Sequence, residues 1–208
     1  MHITLFCAAV ELARMNRMRT TLLLLAACGS HTPTTTAPDA ALDVAGHWVS
    51  DCTPTGDGKA ITLEFHDTAD HWQVAYVTYG DAACTTALVT ADIAGGYTIG
   101  GASAAVAGAR DAVFRFDTKT LTPNVQALAD ALNGMDCGGG FAVGTATDVY
   151  AHGCAGFGMY PRATCGADYD LVQISGDTLH FGNRPADNNM CSEDRRPTAL
   201  SPIALHRK

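Results

Sequence analysis

The chain has 208 residues, 47% of them hydrophobic, and a formal net charge of −8. That length builds one ordinary domain with a real core, together with some flanking chain. The acidic balance repels phosphate backbones and excludes nucleic acid as a partner, and no basic stripe exists to grip anionic lipid head groups.

At the N-terminus, Arg17 and Arg19 precede Leu22-Leu23-Leu24-Leu25-Ala26-Ala27-Cys28. A basic start, a short apolar core and small residues before a cut site compose a secretion signal, predicted over residues 1–27. Met1, Met15 and Met18 each offer a start for it. The apolar run falls well short of the roughly 20 residues that a bilayer span needs. It also lacks the polar face of an amphipathic buried helix. Leu25-Ala26-Ala27-Cys28 resembles a bacterial lipobox, where the signal is removed at a cysteine whose thiol carries a diacylglycerol. Cys28 is therefore the expected lipidation site. The expected location is the cell envelope, as a membrane-anchored lipoprotein facing the periplasm or exterior. A plain secretion signal without lipid is the alternative. Removal of 1–27 takes Arg14, Arg17, Arg19 and Glu11 with it and leaves the exported chain more acidic still.

Residues 28–42 are Thr/Pro/Ala-rich, and Gly29 to Ala41 contain no aromatic residue. Such a stretch cannot bury apolar area and reads as an extended spacer. The folded domain is expected over 43–208. It holds Cys52, Cys84, Cys137, Cys154, Cys165 and Cys191. An even number in an exported domain implies disulfides, and six cysteines allow about 15 pairings. Three bridges are expected, with their connectivity open: Cys52 with Cys84 would tie the first strand to a nearby hairpin, Cys137 with Cys154 would close the excursion at 141–149, and Cys165 with Cys191 would pin the last hairpin. No Cys-x-x-Cys or Cys/His pair has zinc-ligand spacing, and no Asp-x-Asp-x-Asp-Gly loop offers a calcium site, so neither metal nor cofactor is expected.

Most of the domain alternates with a period of two, the signature of strands with one buried and one wetted face. Ile61, Leu63 and Phe65 alternate with Thr62, Glu64 and His66. Trp72, Val74 and Tyr76 alternate with Gln73 and Ala75. Ala112, Phe114 and Phe116 alternate with Val113, Arg115 and Asp117. Further strands are predicted at 44–50, 86–93, 96–99, 141–149, 169–174, 178–182 and 199–205. Asp57-Gly58, Gly95-Gly96 and Ser175-Gly176-Asp177 are read as turns between them. One helix is predicted over 123–133. Thr122 is its N-cap, Pro123 its first residue, and Val125, Leu128, Ala129 and Leu132 its apolar stripe. Asn133-Gly134 supplies a left-handed stop. The sum is an all-β, mainly antiparallel domain: a single lipocalin-like barrel with one short helix, braced by disulfides.

Catalytic motifs are absent from the sequence. His66 and His180 fall within strand patterns, His71 and His152 near turns, and none belongs to a Gly-x-Ser-x-Gly elbow or a His-Glu-x-x-His helix. Cys137-Gly138-Gly139-Gly140 lacks the Gly-Lys-Ser/Thr ending of a phosphate loop and follows a helix instead of opening one. Asp168-Tyr169-Asp170 puts two carboxylates on one strand face, read as a solvated face; a glycosidase pair would require a cleft between them.

Gly46-His47-Trp48 at the first strand is similar to the Gly-x-Trp of lipocalins, where the Trp plugs one end of a barrel. A wider resemblance covers nearly all of 46–205. Gly46-His47-Trp48-Val49-Ser50-Asp51-Cys52, Tyr79-Gly80-Asp81-Ala82-Ala83-Cys84 and Leu121-Thr122-Pro123 occur in order. Leu132-Asn133, Cys137-Gly138, Asp148-Val149 and Gly153-Cys154 follow. Leu179-His180-Phe181-Gly182-Asn183-Arg184-Pro185 and Arg196-Pro197-Thr198 close the series. This pattern resembles the extracellular domain of the adenomatosis polyposis coli down-regulated (APCDD) proteins. The resemblance implies an antiparallel barrel with disulfides. In animals two such barrels are fused in a membrane-anchored inhibitor of Wnt and BMP signalling, and one barrel can hold a lipid. This chain has one copy and an N-terminal lipobox, so the signalling role does not carry over.

These readings converge on a non-enzymatic, lipid-anchored barrel that binds a lipid, another apolar small molecule or a protein partner. The inward faces nominate Phe65, Trp72, Tyr76, Phe114 and Phe116 as cavity lining. A structural envelope domain with a filled barrel is the second reading, and a hydrolase assembled from dispersed His and Asp residues the third. Cavity volume separates the first two.

Overall fold

The computed structural model describes residues 42–208; the expected secretion signal, the expected lipidation site Cys28 and the expected spacer up to residue 41 lie outside the described residues. The chain order is β1 (Gly46–Ser50), β2 (Thr53–Pro54), β3 (Ala60–Asp67), β4 (His71–Tyr79), β5 (Ala87–Ala102), β6 (Arg110–Arg115), β7 (Thr118–Pro123), α1 (Gln126–Asn133), β8 (Thr147–Asp148), β9 (Ala167–Ser175), β10 (Thr178–Phe181) and β11 (Leu205–Arg207). Eight of these strands close a barrel in the order β1-β3-β4-β5-β6-β9-β10-β11, with β11 returning to β1, and every pair is antiparallel. Closure removes the sheet edges that would otherwise invite aggregation.

The period-two pattern turns the large side chains of β3, β4 and β6 inward. Phe65, Trp72, Val74 and Phe114 join Trp48, Val172, Leu179 and Leu205 in one buried cluster. Trp48 is wholly buried; its indole N–H donates to the Val44 carbonyl at 2.8 Å, and the Arg207 guanidinium lies 4.2 Å from its ring centre. A second cluster gathers Val89, Ala91 and Leu121 with Leu132 of α1, Phe141, Val149 and the Cys137 and Cys154 sulfurs. The disulfides join Cys52 to Cys84, Cys137 to Cys154 and Cys165 to Cys191.

Five local expectations need correction. Gly95-Gly96 is no turn: it lies inside a single strand of 16 residues, β5. The first half of β5 pairs with β4 and β7, the second half with β6. Where β5 changes partner the backbones nearly touch, since a Cβ on Gly95 would fall 2.0 Å from the Arg115 carbonyl oxygen. Glycine here permits a barrel corner, the other use of glycine in a strand pattern. The helix starts at Gln126, because Thr122 and Pro123 are still paired with Thr90 and Val89 of β5. Ladder pairing outweighs the capping signature, and Gly134 is right-handed, with φ −85°. Asn133 instead clamps the backbone of Phe141, donating to its carbonyl at 2.8 Å and accepting its N–H at 2.9 Å. The strand expected at 141–149 shrinks to Thr147–Asp148, because a turn with Gly144 at φ 72° interrupts it. The strand expected at 199–205 begins only at Leu205, preceded by an isolated bridge between Gly182 and Leu200.

Candidate ligand-binding cavity

The inward-facing side chains leave a cavity of about 650 Å³. Ligand pockets commonly span roughly 300–1,000 Å³. Phe65, Trp72, Tyr76, Phe114 and Phe116 all line it. Alternation explains why: Phe65 pairs with Val74, and Tyr76 with Leu63 and Ala91, so inward residues of adjacent strands share a face. Phe181 of β10 joins them, stacking on Phe65 at 4.6 Å and meeting Phe114 edge-on at 5.5 Å. Trp72 meets Phe114 edge-on at 5.2 Å, and its indole N–H donates to the Arg115 carbonyl at 3.0 Å. These offset contacts hold the rings in place without filling the barrel.

One part of the lining is polar, and sequence reasoning missed it. Asp168 and Asp170 do not form a solvated face; they are 6% and 5% exposed and point inward from β9. Register decides this, since Asp168 pairs with Phe114 and Asp170 with Ala112, both core residues. Each is compensated. Arg184 donates through Nη2 to Asp168 at 2.6 Å and through Nε to Asn188 Oδ1. Asp170 Oδ1 accepts the N–H of Leu171 at 2.7 Å and of Gly182 at 2.9 Å. A Cβ on Gly182 would fall 2.4 Å from that oxygen, so only glycine lets the carboxylate reach its backbone. Arg196 donates to the carbonyls of Ala112 and Asp170. Gly182, Arg184 and Arg196 thus give physical work to the closing segments at 179–185 and 196–198.

Burial governs the charges here. It pushes the Asp170 carboxyl up to about 7, against the opposing pull of Arg184. The Arg184 side chain is 45% exposed, so desolvation costs its charge little, and Asp168 and Asp170 raise the guanidinium's pKa. Lys119 of β7 also lines the cavity and is 4% exposed; burial lowers its ammonium to about 8. Its Nζ sits 3.5 Å from the centre of the Phe116 ring and 5.1 Å from that of Tyr150. A signal for it existed: Lys119, Leu121 and Pro123 alternate with Thr118, Thr120 and Thr122, which places the lysine on an apolar face.

Elsewhere, Asp67 is 7% exposed, and neither carboxylate oxygen has a hydrogen-bond partner among the described residues. Burial raises its pKa to about 7. On the outer barrel face the fold brings together three residues that lack any metal-binding spacing in sequence. His47 and His66 are cross-strand partners with rings stacked at 4.0 Å, and Glu64 Oε1 lies 2.6 Å from His47 Nε2 and 3.6 Å from His66 Nε2. One donor atom from each falls within 4.8 Å of the others, a grouping able to hold a divalent cation. Cys165 and Cys191, which lie beside Asp168, are no such ligands, because their sulfurs are bonded to each other.

No protein-family model matches the chain.

Proposed function

We propose that this chain is a non-enzymatic binding module, tethered to the cell envelope through Cys28, whose barrel takes up a lipid or similar apolar ligand. The observation that carries the reading is the cavity of about 650 Å³ walled by Phe65, Trp72, Phe114 and Phe181. A barrel filled by its own side chains would leave no such space, so the purely structural reading is the weaker one. The carboxylates most suggestive of chemistry, Asp168 and Asp170, are engaged by Arg184 and by backbone N–H groups, which favours binding over hydrolysis. The resemblance to the APCDD domain supports the same role, and the polar contacts built by Gly182, Arg184 and Arg196 lie in its closing motif. Native mass spectrometry of the purified full chain is the test. Co-purified lipid, displaced by an added fatty-acid probe, is the expected result. A protein that carries no lipid and binds no apolar probe would return the reading to a structural envelope domain.

A further inference from the structure

The cavity wall holds a cation, Lys119, that no acceptor in the wall bonds. Arg184 is matched by Asp168 at 2.6 Å, and Asp170 is satisfied by two backbone N–H groups. Lys119 has nothing equivalent. Among the described residues its Nζ makes no hydrogen bond and no ion pair; it rests on the faces of Phe116 and Tyr150, and the Asp168 carboxylate, already bonded to Arg184, acts on it only through space. A ring face offers an ammonium partial compensation, but its three N–H donors have no acceptor there. Burying an ammonium without a counter-charge is costly, and evolved interiors normally pair it or expose it. Lys119 is held at 4% exposure and lines the cavity, so the group placed to complete it is one that enters the cavity. Arg184 lines the same space. Its Nε and Nη2 are engaged by Asn188 and Asp168, which leaves Nη1 without a partner among the described residues.

We infer that the ligand is a single-chain amphiphile with an anionic head, its carboxylate or phosphate held by Lys119 with Arg184 beside it and its hydrocarbon chain lying along Phe65, Trp72, Phe114 and Phe181. This rests on the binding-module reading above and names the ligand class for that site. A neutral or cationic amphiphile would leave the Lys119 ammonium as uncompensated as before. The net acidity of the chain does not oppose an anion, because the charges nearest Lys119 are one paired carboxylate and one paired guanidinium.

The test compares two probes on the full chain: a dansyl-labelled undecanoic acid and its methyl ester, which differ in the head by the charge and one methyl group. The parent protein is expected to bind the acid at least about tenfold more tightly than the ester, the worth of one charge-assisted hydrogen bond. Lys119→Met keeps an unbranched side chain one atom shorter and removes the charge. It should abolish that preference while leaving ester affinity and melting temperature unchanged or higher. A lysine that only props up Phe116 and Tyr150 would instead lower the melting temperature and leave the acid-to-ester ratio intact, which would overturn the inference. Should the variant misfold, competition on the parent decides. Lauric acid or lysophosphatidic acid should displace the bound acid, and dodecanol or dodecylamine should not; which of the two anions competes better tells carboxylate from phosphate. Equal binding of acid and ester by the parent would reject the anionic head while keeping the cavity reading. Binding of neither would reject both.

Discussion

Replacing Asp67 with asparagine should change the pH dependence of stability by a calculable amount. Asp67 ends β3 on its inward face, pairing with Gly46 and Trp72, and both of its oxygens are buried without partners among the described residues. Desolvation raises its pKa from 3.8 to about 7; the nearby Tyr97 hydroxyl is raised by its own burial first and by the Asp67 charge second. A folded-state pKa above the unfolded value means that the folded chain keeps a proton the unfolded chain has released. Stability from this group is therefore complete below about pH 4 and is lost as pH rises to 7. At about 1.4 kcal/mol per unit, the shift from 3.8 to about 7 amounts to about 4 kcal/mol, a large part of the roughly 5–15 kcal/mol of a typical domain. An asparagine side chain in its place would have the shape of the protonated acid and no charge to acquire. Urea unfolding of the full chain and of Asp67→Asn at pH 5 and pH 8 isolates the effect, because the other titrating groups are common to both. The advantage of the variant should grow by about 3 kcal/mol between those pH values, two units of titration up to pH 7. An advantage that stays constant, or that grows toward acid, would refute the argument that Asp67 is charged at a cost inside the folded barrel.

Further predictions address the tether, the bridges and the wall of the cavity. Cys28→Ser should end incorporation of labelled palmitate and leave an exported soluble protein or an unprocessed precursor; undiminished labelling would remove the lipoprotein reading. Replacing Cys165 and Cys191 together with alanine opens a link across 26 residues and should cost about 3–4 kcal/mol in chemical denaturation, by the loop-entropy argument. Phe114→Ala removes a ring that touches Trp72, Tyr97 and Phe181 but borders empty space, so its cost should fall below the roughly 3–5 kcal/mol of a fully packed phenylalanine. Fatty-acid probe affinity should change more than the melting temperature does, and the reverse would mark Phe114 as ordinary core.

The strand pattern and the inward residues were legible because a period of two is a local property. Residues i and i+2 of a strand share a face whatever the strand pairs with, so Phe65, Trp72, Tyr76, Phe114 and Phe116 could be assigned to the interior one strand at a time. The same local logic misread Gly95-Gly96, Thr122-Pro123 and the segment at 141–149. A glycine pair reads equally as a turn or as a corner in a long strand, and the choice depends on whether another backbone crosses there, as Arg115 does at Gly95. A Thr-Pro reads as a helix start until a neighbouring strand claims its hydrogen bonds.

The sequence by itself thus determined a disulfide-braced antiparallel β domain, its cysteine inventory and most of its aromatic lining, because alternation and cysteine count need no knowledge of distant neighbours. Tertiary structure decided what each charge does. Asp168 and Asp170 look like a wetted face until pairing with Phe114 and Ala112 turns them inward, where Arg184 and Gly182 answer them from 16 and 12 residues further along. His47, Glu64 and His66 meet only because β1 lies beside β3. Lys119 acquires meaning only where β7 runs along β5, placing an ammonium in an apolar wall with no carboxylate bonded to it among the described residues. The cost of a charge depends on the dielectric and the partners around it, and both are set by residues that the fold, not the chain order, makes adjacent.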